Sequence, residues 1–172
     1  KQVGRMDRFS QFALLAANEA ITTSGLKTCK EDWSENAGII LGSSIGGIET
    51  INYSYKQVFE EGHNRLHPLT IPKIMNNSAT SLISIEYRIQ GPSFTVSSAC
   101  SSANHAMGLA YETIKSRKSE VMITGGSESF FSFGGIKPWE SLRILSQSKC
   151  RPFSKGRDGL VHGCLLYTSP SP

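Results

Sequence analysis

The sequence predicts an α/β fold built from βαβ units, and two passages of strand, turn and helix carry that prediction. The first spans residues 37–59 and the second residues 94–129. In each, a short apolar run ends in small residues and gives way to a pattern of helical period. The chain has 172 residues, 38% hydrophobic and 19% charged, which is enough to bury a core and is ordinary for a globular protein.

The second passage is the more informative. Phe94 and Val96 alternate with Thr95 and Ser97 as in a strand. Ala103, Ala106, Met107, Ala110, Tyr111 and Ile114 then form one apolar helical stripe, with Ser101 and Ser102 placed to cap the first turn. Val121 to Thr124 is a second buried run, ending in Gly-Gly-Ser-Glu. Strand, helix and strand in this order predict parallel strands joined by a right-handed crossover.

Cys100 falls at the junction of strand and helix. There, exposed N–H groups and the positive helix end favour an anionic sulfur, a good nucleophile, and the same groups can donate to a developing oxyanion. The competing reading is a buried cysteine acting as a small hydrophobe.

Taken in order, residues 1–8 are basic and lead into a helix. Phe9, Phe12, Ala13, Ala16 and Ala20 mark its buried face, Asp7 caps it and Gly25 ends it, while Arg5 and Arg8 read as solvated. Residues 27–36 form a polar loop in which Trp33 is a packing residue. Residues 37–41 are a buried strand, followed by a Gly-rich turn, 42–47, and a helix carrying Ile48, Ile51, Tyr55, Val58 and Phe59. The turn matches neither G-x-G-x-x-G nor the Walker pattern, so close backbone packing is favoured over phosphate binding.

Residues 61–72 read as a loop. His63 and His67 would form a metal pair only on a helix, and Pro68 argues against one, so no metal site is expected. Residues 78–89 form a further helix with Ala79, Leu82, Ile83 and Tyr87 on one side, ended by Gln90-Gly91-Pro92. After Glu128, Phe130, Phe131, Phe133 and Trp139 are dense enough to pack a core or wall an apolar pocket. Residues 150–163 read as a polar, charged loop.

A net charge of +4 is too mild and scattered to argue for nucleic acid, though it suits an acidic protein partner. Cysteines 29, 100, 150 and 164 show neither metal nor disulfide spacing. With no signal peptide and no apolar run of membrane length, the reading is cytoplasmic with free thiols. Residues 1–163 read as one incomplete domain. Residues 164–172 shift abruptly in composition and read as a non-native tail.

Four motifs, GSSIGG at 42–47, QGPSFTVSSACSSANHAMG at 90–108, GGSES at 125–129 and CRPFSKGRDG at 150–159, resemble the elongating β-ketoacyl-acyl carrier protein synthases. The likeness runs through residues 1–163 in that family's order and spacing. It implies a thiolase-like fold, here its N-terminal half with the helix after the nucleophile buried centrally. It also implies decarboxylative condensation of an acyl thioester with malonyl-carrier protein to a 3-oxoacyl-carrier protein, through an acyl-Cys100 intermediate.

By the same matching, Cys100 is nucleophile and backbone oxyanion donor. Ile45 lines the acyl pocket, Ile71 and Pro72 reach across a homodimer toward the partner's pocket, and Arg65 and Arg143, with Arg5 nearby, face the acyl carrier protein; Trp139, from the aromatic cluster, is the further pocket candidate. The resemblance implies no cofactor, since substrates ride on the carrier's phosphopantetheine, and no nucleic-acid or membrane partner.

The family's two catalytic histidines lie downstream of these motifs, with a lysine and a gating loop. His63, His67 and His162 match no catalytic motif, and His105 matches a structural position. The chain alone is therefore expected not to condense, to expose an apolar face and to dissolve poorly. The aromatics at 130, 131, 133 and 139 stand where relatives often carry smaller groups. Two other readings compete: a non-catalytic chain-length partner subunit, disfavoured by Cys100, and a coenzyme A-dependent thiolase-type acyltransferase, disfavoured by the C-R-P-F and R-D-G motifs and the arginines.

Overall fold

A computed structural model describes residues 3–28 and 32–163. Cys29 and the proposed non-native tail at 164–172 lie outside the described residues. The elements are α1 (Arg8–Thr23), β1 (Ala37–Gly42), α2 (Ile48–Phe59), α3 (Thr70–Ile74), α4 (Ser78–Tyr87), β2 (Ser93–Val96), α5 (Ser102–Lys115), β3 (Val121–Gly126) and α6 (Phe133–Ser141).

The three strands form a parallel sheet in the order β2-β1-β3, so the βαβ unit of the second passage crosses over β1 rather than pairing its own strands. β1 is buried along its whole length, as a central parallel strand covered on both faces must be. Its alternate residues serve two cores. Ala37, Ile39 and Leu41 pack with Phe9, Ala13 and Ala17 of α1 and with Ala79 and Ile83 of α4. Ile40 faces the other way, onto Ala106 and Ala110 of α5 with Val96 and Met122 beside them.

Gly42 shares that second face, where α5 comes very close. A Cβ on Gly42 would lie 2.3 Å from the Ser102 carbonyl carbon and 2.4 Å from Ala103 N. Only glycine admits this approach, which settles the reading of the turn at residue 42 in favour of backbone packing.

Asp7 caps α1 as predicted: its carboxylate accepts from Phe9 N at 3.3 Å. The same buried carboxylate accepts from Thr50 N at 2.8 Å and Thr50 Oγ1 at 2.6 Å, tying α1 to the first turn of α2. The buried face of α1 differs from the expected one. Ala17 and Ile21 continue the row from Phe9 and Ala13 at intervals of four, whereas Ala20 is exposed. Trp33 packs on this core beside Tyr87, as expected.

Two short helices contain proline and were not anticipated. α3 includes Pro72, in the first turn where its missing N–H costs nothing, and α6 includes Pro138 after two glycines. The apolar residues of α2 turn away from the sheet. Thr50 and Ser54 are its buried residues, while Ile51, Tyr55, Val58 and Phe59 line an open groove against Leu66, Thr70, Ile71 and Ile74.

On α5 the predicted stripe divides. Ala106 and Ala110 are buried, but Met107, Tyr111 and Ile114 remain exposed, Tyr111 to 62%, with Leu109 exposed beside them. The sequence places Met107, Tyr111 and Ile114 in the stripe expected to pack; no described element covers them, because the sheet takes only the Ala106 and Ala110 side of the helix.

Candidate active site

All three strands end at one edge of the sheet, and the loops leaving that edge are bonded to one another. Ser43 N donates to Val96 O at 3.1 Å, Ser127 N donates to Gly42 O at 3.1 Å, and Ser97 Oγ donates to Ser44 O at 3.3 Å. Glu128, immediately beyond β3, completes the seam. Its Oε1 accepts from Ser43 Oγ at 2.7 Å and from Ser44 N at 2.5 Å, and its Oε2 is buried with no hydrogen-bond partner. Ligands of open parallel sheets bind at this carboxyl edge.

Cys100 stands in the loop from β2 to α5. It is exposed, which removes the reading as a buried small hydrophobe. Ala99, just before it, holds φ +52, a left-handed conformation costing a non-glycine residue about 1–2 kcal/mol. Such strain persists where the surroundings over-determine it.

The surroundings are hydroxyls. Ser102 Oγ accepts from Ser98 N at 2.9 Å and donates to Ala99 O at 2.6 Å, and Ser101 Oγ donates to Ser98 O at 2.7 Å. Ser101 is the N-cap of α5 but makes no side-chain cap bond, so these two serines tie the elbow instead of capping first-turn N–H groups as the sequence suggested. Nδ1 of His105 lies 2.7 Å from Ser98 Oγ.

The other predicted site residues lie on separate surfaces. Ile45 is exposed in the turn after β1, Ile71 sits in the α2–α3 groove, and Trp139 packs edge-on to Phe130 and His162 at centroid distances of 6.2 and 5.3 Å. No described ring contact or groove joins the three. Arg65 and Arg143 are exposed, Arg143 with φ +54, and Arg5, Arg65 and Arg143 form no ion pair among the described residues.

Their segments nonetheless border the α2–α3 pair. Lys73 Nζ reaches Gly4 O at 3.4 Å, and Gly134 N donates to Asn52 Oδ1 at 3.1 Å. Arg8 is paired rather than merely solvated, at 3.6 Å from Glu49.

The segment at 145–160 folds around Asp158. Ser146 Oγ donates to it at 2.6 Å and Ser148 Oγ at 3.1 Å, with Arg151 Nη2 at 3.1 Å. The Ser146 hydrogen bond first, then the Arg151 guanidinium, hold its carboxyl down at about 2. His63 and His67 are exposed, and no group of three or more metal-ligating side chains occurs among the described residues. No helix among them is long and apolar enough to cross a membrane.

The family model described as "Beta-ketoacyl synthase, N-terminal domain" matches residues 1–163. The chain belongs to the beta-ketoacyl synthase family. It is 41% identical over 163 residues to Nodulation protein E of Rhizobium sp. (strain N33), covering 95% of this chain and 40% of that protein. Over 168 residues it is 34% identical to 3-oxoacyl-[acyl-carrier-protein] synthase 2 of Staphylococcus aureus, again covering 95% of this chain and 41% of the relative.

A beta-ketoacyl synthase from Burkholderia phymatum STM815 superimposes with a TM-score of 0.77 at 28% identity, over 91% of this chain and 40% of that one. A type II polyketide ketosynthase in complex with its acyl-carrier protein does so with a TM-score of 0.73 at 27% identity, over 79% of this chain and 38% of that one. The fold is therefore the thiolase-like ketosynthase fold in its N-terminal part, and the chain spans about 40% of the length of these family members.

Glu128, Ser98 and His105 are the residues that sequence reasoning did not select. Glu128 was visible as the acid closing Gly-Gly-Ser-Glu opposite Ser43-Ser44. His105 was set aside as structural.

Proposed function

We propose that this chain carries the acyl-accepting part of a ketosynthase that makes 3-oxoacyl-carrier protein by decarboxylative condensation. The observation that supports it best is the exposed Cys100 on a strained elbow at the carboxyl edge of the sheet. In the first half-reaction the Cys100 sulfur attacks the carbonyl of an acyl thioester. The carrier's phosphopantetheine thiol leaves with a proton, and the acyl group stays on sulfur. The Cys100 N–H at the start of α5 donates to the oxyanion of that attack.

In the second half-reaction malonyl-carrier protein loses carbon dioxide. The resulting carbanion attacks the acyl-Cys100 carbonyl, releasing the sulfur and a product two carbons longer. That half requires the histidines the family carries downstream, so the chain alone accepts an acyl group and stops. The acyl carrier protein is the proposed partner, met by Arg5, Arg65 and Arg143. Ile45, Ile71 and Trp139 wall the acyl pocket once a homodimer brings a second copy's Ile71 across. The setting is cytoplasmic, and no cofactor is needed beyond the carrier's phosphopantetheine.

The test supplies acyl- and malonyl-carrier protein to two proteins, this chain and the same chain extended to the length of its relatives. The extended protein gives 3-oxoacyl product that Cys100→Ala abolishes, and the 172-residue chain gives none. Product from the short chain, or from the Cys100→Ala extended protein, overturns the assignment.

A further inference from the structure

We infer that His105 is a positioning residue for the nucleophile: its ring nitrogen on Ser98 Oγ locks the elbow that aims Cys100. The inference rests on the acyl-accepting reading of Cys100. Ser98 is the last residue before the reversed backbone at Ala99, and every polar group it has is engaged. Its N–H is held by Ser102 Oγ at 2.9 Å and its carbonyl by Ser101 Oγ at 2.7 Å. Its side chain, 3.4 Å from Ser101 Oγ, finds its short bond only at His105 Nδ1, 2.7 Å away.

The two serines belong to the start of α5, whereas His105 lies a full turn further on. The histidine therefore ties the elbow to the body of the helix, its ring through Ser98 Oγ and its backbone N–H by donating to Ser101 O at 3.0 Å. Without this bond, Ala99 at φ +52 is held by the Ser101 and Ser102 hydroxyls and by the backbone bonds Ser101 N to Ser98 O and Ser102 N to Ala99 O, all from the two residues next to the elbow. Relaxation of Ala99 rotates the peptide linking it to Cys100, and with it the N–H that serves the oxyanion. Asn substitutes well for Nδ1 because its side-chain terminus attaches at the same carbon; Leu preserves bulk and removes the bond.

The experiment measures iodoacetamide alkylation of each cysteine in the full chain by peptide mass spectrometry, with exposed Cys150 as internal reference. His105→Leu lowers the Cys100 rate by about three- to tenfold, the value of one hydrogen bond, and leaves Cys150 unchanged. Ser98→Ala gives a similar loss, the double variant is no slower than either single one, and His105→Asn recovers most of the rate. A Cys100 rate in His105→Leu equal to that of the unsubstituted chain, or additive losses in the double variant, overturns the inference.

Should His105→Leu speed Cys150 as well, unfolding is exposed, and Ser98→Ala decides: an unchanged Cys100 rate there overturns the inference. Should Cys100 of the unsubstituted chain react no faster than Cys150, the acyl-accepting reading fails, while the ratio of variant to unsubstituted rate still reads the role of His105.

Discussion

Replacing Gly42 by Ala puts a methyl group where the backbone of α5 already is. The added carbon would sit 2.3 Å from the Ser102 carbonyl carbon, 2.4 Å from Ala103 N and 2.6 Å from the Ser102 carbonyl oxygen. Carbon atoms rest about 3.5–4.0 Å apart, so the first turn of α5 has to retreat by roughly 1 Å or more. All three contacts are backbone atoms, and no rotamer change relieves them.

Overpacking of this kind costs about 1–3 kcal/mol, which in a chain of this size lowers the melting temperature by roughly 2–12 °C. The proposed functional loss is larger, because that turn directly follows Cys100. A misplacement of about 1 Å at a reacting group costs on the order of a hundredfold in rate. The assay is the rate of acyl transfer to Cys100 beside a thermal melt followed by circular dichroism. Gly108→Ala serves as the control: it lies on the same helix with nothing within 4 Å of its added carbon. If Gly42→Ala accepts acyl groups at the rate of Gly108→Ala, the close approach of β1 and α5 does not aim the nucleophile and the reasoning is refuted.

Other outcomes follow from the same structure. Asp7→Ala removes the α1 cap together with two bonds to Thr50 and leaves buried donors unpaired, so urea unfolding should show a loss of about 2–4 kcal/mol. Asp158 is depressed from 3.8 to about 2, so its anchoring of residues 145–160 is complete above pH 3.8 and is lost as pH falls toward 2. Amide exchange in that segment should accelerate over this window, and Ser146→Ala should move the onset to higher pH. Joint replacement of Arg65 and Arg143 by Glu should weaken transfer from acyl-carrier protein while sparing transfer from acyl-coenzyme A; equal loss with both donors would point to misfolding.

Much of the fold was legible because local signals and tertiary context agree there. The Asp7 cap, the run at 37–41 and the alanines of α5 each demand an environment that the sheet supplies. The prolines at 72 and 138 hid α3 and α6, since a short helix held by its neighbours escapes propensity. The apolar residues of α2 were legible as a helical pattern but not as the lining of an open groove, because a periodic pattern shows that a face is apolar and not what covers it.

Cys100, the proposed nucleophile, stood out by its position between strand and helix. Glu128 was legible as the acid closing Gly-Gly-Ser-Glu, but its pairing with Ser43, and that of His105 with Ser98, was not, because these are set by the crossing of three loops and by a reversed residue at 99. Alanine there gives no sequence warning of a positive φ.

The central claim, that Cys100 is the acyl acceptor, is tested most directly by the intact mass of the chain after incubation with acyl-carrier protein, followed by peptide mapping. The account predicts one added acyl group on the peptide containing Cys100 and none in Cys100→Ala. Acylation mapped to Cys150, or an unchanged mass for a chain shown to be folded, would contradict it.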